Sequence, residues 1–124
     1  MSLKVLVIDD YPPAAEMLSL VMEMKGYDVK HTCKPLQAFE AMKDFIPDVV
    51  LCDINMPGVQ GNELCAQMRQ DDRLKETVFV AQTALSTVEA GAMIRDAGFH
   101  YHLVKPIDVG VLGTIIKRHF ANAA

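Results

Sequence analysis

Two short apolar runs constrain this chain more than any other feature. Val5-Leu6-Val7-Ile8 is closed by Asp9 and Asp10, and Val49-Val50-Leu51-Cys52 is closed by Asp53. Runs this short, without polar alternation, read as strands buried on both faces, as in a parallel sheet. In an open parallel sheet, ligands bind just beyond the carboxyl ends of the strands. If the two strands are neighbours, three carboxylates meet at one point. Like charges that close are unfavourable without compensation. A hard divalent cation compensates them, and carboxylate oxygens are what Mg²⁺ prefers.

The 124 residues suit one domain spanning 1–124, and a hydrophobic content of 51% is enough for a core. The net charge of -4 and the absence of a Lys/Arg block argue against direct nucleic-acid binding. No apolar stretch reaches membrane-spanning length and the start carries no signal-peptide pattern, so a soluble cytoplasmic domain without membrane contact is expected. Cys33, Cys52 and Cys65 match no disulfide framework or zinc spacing, and are expected to be buried or half-buried free thiols.

Strand and helix signals alternate from end to end. Leu3–Ile8 reads as a strand. Pro12 and Pro13 open a helix with Ala14, Met17, Leu18, Val21 and Met22 on its apolar face, stopping near Gly26. Asp28–Thr32 is a second strand, and Pro35–Phe45 a second helix with Leu36, Phe39, Ala41 and Met42 available to pack. After the third strand comes a loop through Asn55, Pro57, Gly58 and Gly61, then a helix over Asn62–Gln70. Thr77–Ala81 is the fourth strand. Ser86 and Glu89 have capping-box spacing for a helix ending at Gly98. Tyr101–Val104 is the fifth strand, and Asp108 caps a last helix running to about Phe120, packed through Val111, Leu112, Ile115 and Ile116. Of the methionines, Met17, Met22 and Met42 are assigned to the core; His31, His100 and His119 read as surface residues. Five strands alternating with five helices predict a doubly wound α/β fold of flavodoxin-like strand order 2-1-3-4-5. That order sets the first and third strands side by side.

The strand ends carry the chemistry. A carboxylate such as Asp53 can act as a nucleophile and hold a phosphoryl group as an acyl phosphate. Such transfer needs in-line geometry and charge neutralisation more than acid–base help. Asp9 and Asp10 are placed to hold Mg²⁺. Thr83 and Lys105, at the ends of the fourth and fifth strands, offer a hydroxyl and an ammonium to phosphoryl oxygens. Taken singly, each residue has a plainer reading: a solvated turn, a loop cap, a strand-end threonine, a surface lysine. Those readings would all have to hold together.

With "VLVIDD", "VVLCDINMPGVQG", "VAQTA" and "LVKP" in this order, the chain resembles the receiver domain of two-component response regulators over nearly its whole length. The resemblance implies that Asp53 is the phosphoacceptor, with phosphoryl groups arriving from a phosphohistidine of a sensor histidine kinase or phosphotransfer protein. It implies that Asp10 ligates Mg²⁺ directly, Asp9 mostly through water, and Asn55 through its backbone carbonyl. Thr83 and Lys105 would bind the phosphoryl group, and the Lys105–Pro106 bond would be cis. A change of surface would follow around the fourth helix, fifth strand and fifth helix, in a monomer or weak dimer. Such a chain catalyses its own phosphorylation and dephosphorylation, and is not an enzyme in the ordinary sense.

One position departs from the family. Receivers usually carry Tyr or Phe three residues before the lysine, as a switch partner to the threonine; here that position is His102. It reads either as a switch residue or as a half-exposed strand residue with no switching role. The segment "GFHYHLVKPID" is similar to receivers at the C-terminal ends of hybrid sensor kinases. The chain stops at Asn122-Ala123-Ala124 with no output domain, which suits a stand-alone receiver or part of a longer parent protein. Two other functions fit the fold less well. An aspartyl-phosphate phosphatase wants a second carboxylate where Asn55 stands. A flavin-binding module wants a Ser/Thr/Gly-rich phosphate loop where Asp10-Tyr11-Pro12-Pro13 stands.

Overall fold

The computed structural model describes residues 2–54, 61–84 and 88–122. Five strands form one parallel sheet: β1 (Lys4–Ile8), β2 (Asp28–Thr32), β3 (Val49–Asp53), β4 (Val78–Thr83) and β5 (Tyr101–Val104). Their spatial order is β2-β1-β3-β4-β5, as the alternation of elements predicts. Five helices connect or follow them: α1 (Pro12–Met24), α2 (Pro35–Ala41), α3 (Gly61–Met68), α4 (Val88–Ala97) and α5 (Val109–Asn122). Among the described residues, no helix is long and apolar enough to cross a membrane.

The apolar runs are central strands because both their faces are covered. Every residue of β3 and β4 is buried, whereas the edge strands β2 and β5 keep exposed positions. Side chains alternate across a strand, so the runs feed two cores. Leu6, Ile8, Val50, Cys52, Phe79 and Ala81 face one core, which Met42, Leu64, Met68 and Ile94 complete from α3, α4 and the end of α2. Val5, Val7, Val49, Leu51, Val78 and Val80 face the other, where Ala15, Met22, Leu112 and Ile116 of α1 and α5 pack.

Cap chemistry sets the turns. Asp108 Oδ1 accepts hydrogen bonds from the backbone N–H groups of Gly110 (2.8 Å) and Val111 (3.2 Å), which starts α5 as expected. At the end of α4, Gly98 N–H donates to Arg95 O and Phe99 N–H to Ile94 O, the paired bonds of a Schellman motif. Gly98 adopts φ +103°, a conformation that a Cβ disfavours. This turn delivers His100 to the start of the β4–β5 pairing. There His100 N–H donates to Phe79 O (2.8 Å), and Phe79 N–H donates to the His100 ring Nδ1 (3.0 Å).

Several sequence expectations shift on this frame. Helix α2 stops at Ala41 rather than Phe45, because Met42 and Lys43 N–H groups fold back in a turn onto Ala38, Phe39 and Glu40 carbonyls. So short a helix buries one line of residues, Ala38 and Met42, and leaves Leu36 (76%) and Phe39 (37%) exposed. In α1 the buried line is Ala15, Ser19 and Met22, one step round from the face expected, so Met17 is exposed at 64% instead of lying in the core. Val111 is likewise exposed while Leu112 and Ile116 are buried. β4 begins and ends later than expected, and a 3-10 turn over Asp72–Leu74 precedes it, burying Leu74. Ser86 lies outside the described residues.

The thiols follow expectation: Cys33 is half-buried, and Cys52 and Cys65 are buried. Burial pushes the Cys65 thiol up to about 12 and Cys52 well above its ordinary range, so neither is a ready nucleophile. His100 and His119 do more than decorate the surface. His119 is half-buried, with Tyr101 Oη 3.3 Å from its Nδ1 and its ring edge-on to His100.

Gly98→Ala is expected to destabilise the protein by about 1–2 kcal/mol through the positive φ alone, read as a lower midpoint in urea unfolding. The His100 ring accepts a proton reluctantly: partial burial, then the charges of Arg69 and His119, hold its pKa below the ordinary 6.5. The unfolded chain therefore binds that proton more readily, and stability falls as pH drops through 6.5. Urea unfolding at pH 5.5 and 7.5 should show a larger loss for the native chain than for His100→Asn.

Candidate functional site

The register of the sheet brings the predicted residues to one edge. β1 and β3 pair with Ile8 opposite Cys52, so Asp9 and Asp53 leave the sheet side by side. β3 and β4 pair Asp53 with Gln82, and β4 and β5 pair Thr83 with Val104. The ladder continues one step past the strands. Asp9 N–H donates to Thr32 O (3.1 Å), Ile54 N–H to Gln82 O (3.1 Å) and Lys105 N–H to Thr83 O (2.8 Å). These bonds fix the backbone beside Asp9, Asp53, Thr83 and Lys105.

Asp9 and Asp53 are buried and Asp10 is half-buried, and one carboxylate oxygen from each lies within 4.8 Å of the others. Lys105 reaches over them from the end of β5. Its Nζ donates to Asp53 Oδ2 at 2.8 Å and forms an ion pair with Asp9 Oδ2 at 3.7 Å. The Lys105–Pro106 peptide is cis, as the resemblance implied. Thr83 is wholly buried at the end of β4, between β3 and β5 in the sheet. Asp9 also accepts the Tyr11 backbone N–H on Oδ1 at 3.0 Å. Sequence reasoning missed that contact, although an aspartate commonly bonds the backbone two residues further on.

The electrostatics follow from crowding. Three carboxylates face one ammonium. Burial, then the charges of Asp53 and Asp9, push the Asp10 carboxyl above its ordinary pKa. Burial opposes the Lys105 ammonium, but the hydrogen bond to Asp53 and the charges of Asp53, Asp9 and Asp10 outweigh it, and the net shift is upward. Lys105 therefore stays charged at neutral pH. The donor set fits a hard divalent cation: it is all oxygen, compact and open on the Asp10 side, with no thiolate or imidazole among the clustered ligands.

The remaining sequence candidates are Asn55 and His102. Asn55, with Pro57, lies outside the described residues. His102 is exposed on β5, opposite Ala81, on the sheet face that also holds Thr83. Tyr101 and Leu103 are the half-buried residues of that strand and pack on the opposite face.

Comparison with known proteins bears on the same residues. The profile of the response regulator receiver domain matches residues 5–117, a span that includes Asp9, Asp10, Asp53, Thr83 and Lys105. The polar-differentiation response regulator DivK of Brucella anthropi is 28% identical over 119 residues, 96% of this chain and 97% of DivK. The DNA-binding dual master transcriptional regulator RpaA of Synechocystis is 30% identical over 106 residues, 86% of this chain but 44% of RpaA. The DNA-binding response regulator MtrA of Mycolicibacterium smegmatis is 32% identical over 103 residues, again 44% of that protein, so the chain spans less than half of these two relatives. Among solved structures, a putative response regulator from Chloroflexus aurantiacus superposes with a TM-score of 0.88 at 30% identity, covering 98% of this chain and 99% of that one. The chemotaxis response regulator CheY4 of Vibrio cholerae superposes with a TM-score of 0.87 at 26% identity, covering 96% and 99%. The chain belongs to the response regulator receiver domain family, the signalling module of two-component phosphorelays.

Proposed function

We propose that Asp53 accepts a phosphoryl group from a phosphohistidine, with the rest of the strand-end cluster serving that transfer. The observation that carries this reading is the convergence of Asp9, Asp10 and Asp53 within 4.8 Å, with Lys105 Nζ 2.8 Å from Asp53. A carboxylate oxygen of Asp53 attacks phosphorus; the O–P bond forms as the P–N bond to the donor imidazole breaks, and the imidazole leaves neutral after taking a proton. Lys105 supplies positive charge to the oxygens of the moving group, as in other phosphoryl transfers. Thr83 offers its hydroxyl to one of them. Asp9, Asp10 and Asp53, with Asn55 through its backbone carbonyl, would hold Mg²⁺. The ion's chemistry is to neutralise phosphoryl charge beside these carboxylates.

Hydrolysis of the acyl phosphate resets the chain, so its catalysis is confined to its own modification. Residues 1–124 act as one receiver unit in the cytoplasm, as a monomer or weak dimer without a nucleic-acid or membrane surface of its own. Its partners are a sensor histidine kinase or a histidine phosphotransfer protein. Placement at the C-terminal end of a hybrid sensor kinase rests on the segment Gly98–Asp108 alone. Thr83 and His102 share a sheet face, which supports a switch that links the phosphoryl group to the surface of α4, β5 and α5. An aspartyl-phosphate phosphatase remains the weaker reading for want of a general acid, and a flavin module for want of a phosphate cradle beside these acids.

Intact-mass measurement after incubation with Mg²⁺ and acetyl phosphate tests the proposal. The native chain should gain one phosphoryl group, and Asp53→Ala none. Chelation by EDTA should abolish the gain. Lys105→Met should slow it by about a hundredfold, the usual effect of losing one charge-stabilising donor. A gain by Asp53→Ala equal to that of the native chain would reject Asp53 as acceptor.

A further inference from the structure

Lys105 changes partners during the transfer proposed above. At rest its Nζ donates to Asp53 Oδ2 at 2.8 Å. During transfer it neutralises the oxygens of the moving phosphoryl group. The Asp53 carboxyl gives up that charged donor just as its own charge redistributes. A charge-assisted bond of this kind is among the stronger ones a carboxylate accepts. The neighbouring position on β4 carries a second donor.

That position is Gln82. β3 and β4 pair Val49 with Val78, Leu51 with Val80 and Asp53 with Gln82. The four apolar residues lie in one core, so alternation carries Asp53 and Gln82 onto the same face of the sheet. Adjacent strands lie about 4.8 Å apart, a gap that a glutamine side chain spans by turning about its own bonds. Gln82 also borders the cavity that Asp9 and Lys105 line. It is 2% exposed, and its Nε2 is closed off from solvent without a hydrogen-bond partner among the described residues. A buried donor left unpaired is costly, and native structures rarely keep one. An aliphatic residue fills such a place without that cost, as Val78 and Val80 do earlier on the strand. No solute reaches a nitrogen closed off in this way, so its acceptor has to come from the protein. Its strand-to-strand neighbour on that face is the Asp53 carboxyl.

We propose that Gln82 is a catalytic hydrogen-bond donor: its Nε2–H bonds the Asp53 carboxyl as Lys105 turns to the phosphoryl oxygens. This role rests on the reading of Asp53 as phosphoacceptor. No proton is transferred; the amide keeps both its hydrogens. In a loose transition state the attacking carboxylate retains most of its charge. A donor aimed at that charge in a site without water is worth far more than in solution. In hydrolysis the Asp53 oxygen is the leaving group, and the same charge returns to it. One donor therefore speeds both the gain and the loss of the phosphoryl group, and sets the pace of the signal more than its level.

The test uses the full ¹⁵N-labelled chain with Mg²⁺, before and after beryllofluoride, a phosphoryl mimic, is added. Shifts of the Asp53 and Thr83 backbone signals show that the mimic is seated. The Gln82 side-chain NH₂ signals, assigned by through-bond correlation to its backbone, should then move downfield. Intact-mass time courses follow phosphoryl gain from acetyl phosphate, and loss once the donor is removed. Gln82→Met, which keeps length and removes the donor, should slow both by about fivefold to tenfold, the worth of one net hydrogen bond. The acetyl phosphate concentration giving half the maximal rate should not change. The thermal midpoint of Gln82→Met should hold or rise, because an unpaired donor is gone; a purely structural residue would lose rate and stability together. Unmoved Gln82 amide signals in the beryllofluoride complex overturn the proposal, and so do native rates in Gln82→Met. If Gln82→Met does not fold, the native-chain spectra decide alone. Equal phosphoryl gain by the native chain and Asp53→Ala overturns the acceptor reading, and this proposal with it; that comparison is made before any Gln82 variant, so the two failures are told apart.

Discussion

The crowding of Asp9, Asp10 and Asp53 against a single lysine is the constraint on which the rest of this structure depends. Carboxylates with oxygens inside 4.8 Å of one another repel, and two of these are buried. Water cannot screen them as it would on an open surface. The Lys105 ammonium offsets part of that repulsion through its bonds to Asp53 and Asp9. Burial first, and then the charges of Asp53 and Asp9, keep the Asp10 carboxyl raised. A site held in this state responds strongly to added positive charge and to any change in the charge of Asp53.

The sheet makes such a concentration tolerable. β1, β3 and β4 are buried along nearly their whole length, and the two cores on either face hold them in register. A slip of one residue would turn Asp53 into an apolar core and break the Asp9 and Lys105 ladder bonds together. The apolar runs and the acids that end them are thus one device. Burial fixes the strands, and fixed strands present the acids at a common edge.

Much of this was legible in the sequence. The runs ending at Ile8 and Cys52 named the central strands, and the alternation of elements named their order. The lysine and threonine at the ends of β4 and β5 then had one place to go. What escaped was of two kinds. Periodicity alone did not distinguish the Ala15–Ser19–Met22 line of α1 from the face one residue away, because Ala14, Leu18 and Val21 are also apolar. Ser19 at a core position, and a turn that truncates α2 before Phe45, are outcomes of packing rather than propensity. A long-range contact made by a backbone group, such as Phe79 N–H on the His100 ring, leaves almost no trace in residue identity. Gln82 was in plain view inside "VAQTA", but its meaning depends on which face of β4 it occupies.

The claim that Asp53 is the nucleophile of this cluster has one most direct measurement. Borohydride reduces an acyl phosphate to an alcohol, converting a phosphorylated aspartate to homoserine in place. After brief treatment with Mg²⁺ and a phosphohistidine donor protein, reduction and peptide mapping should find homoserine at position 53 and nowhere else. Homoserine at position 9 or 10, or none in a chain shown to have taken up phosphate, would contradict the account.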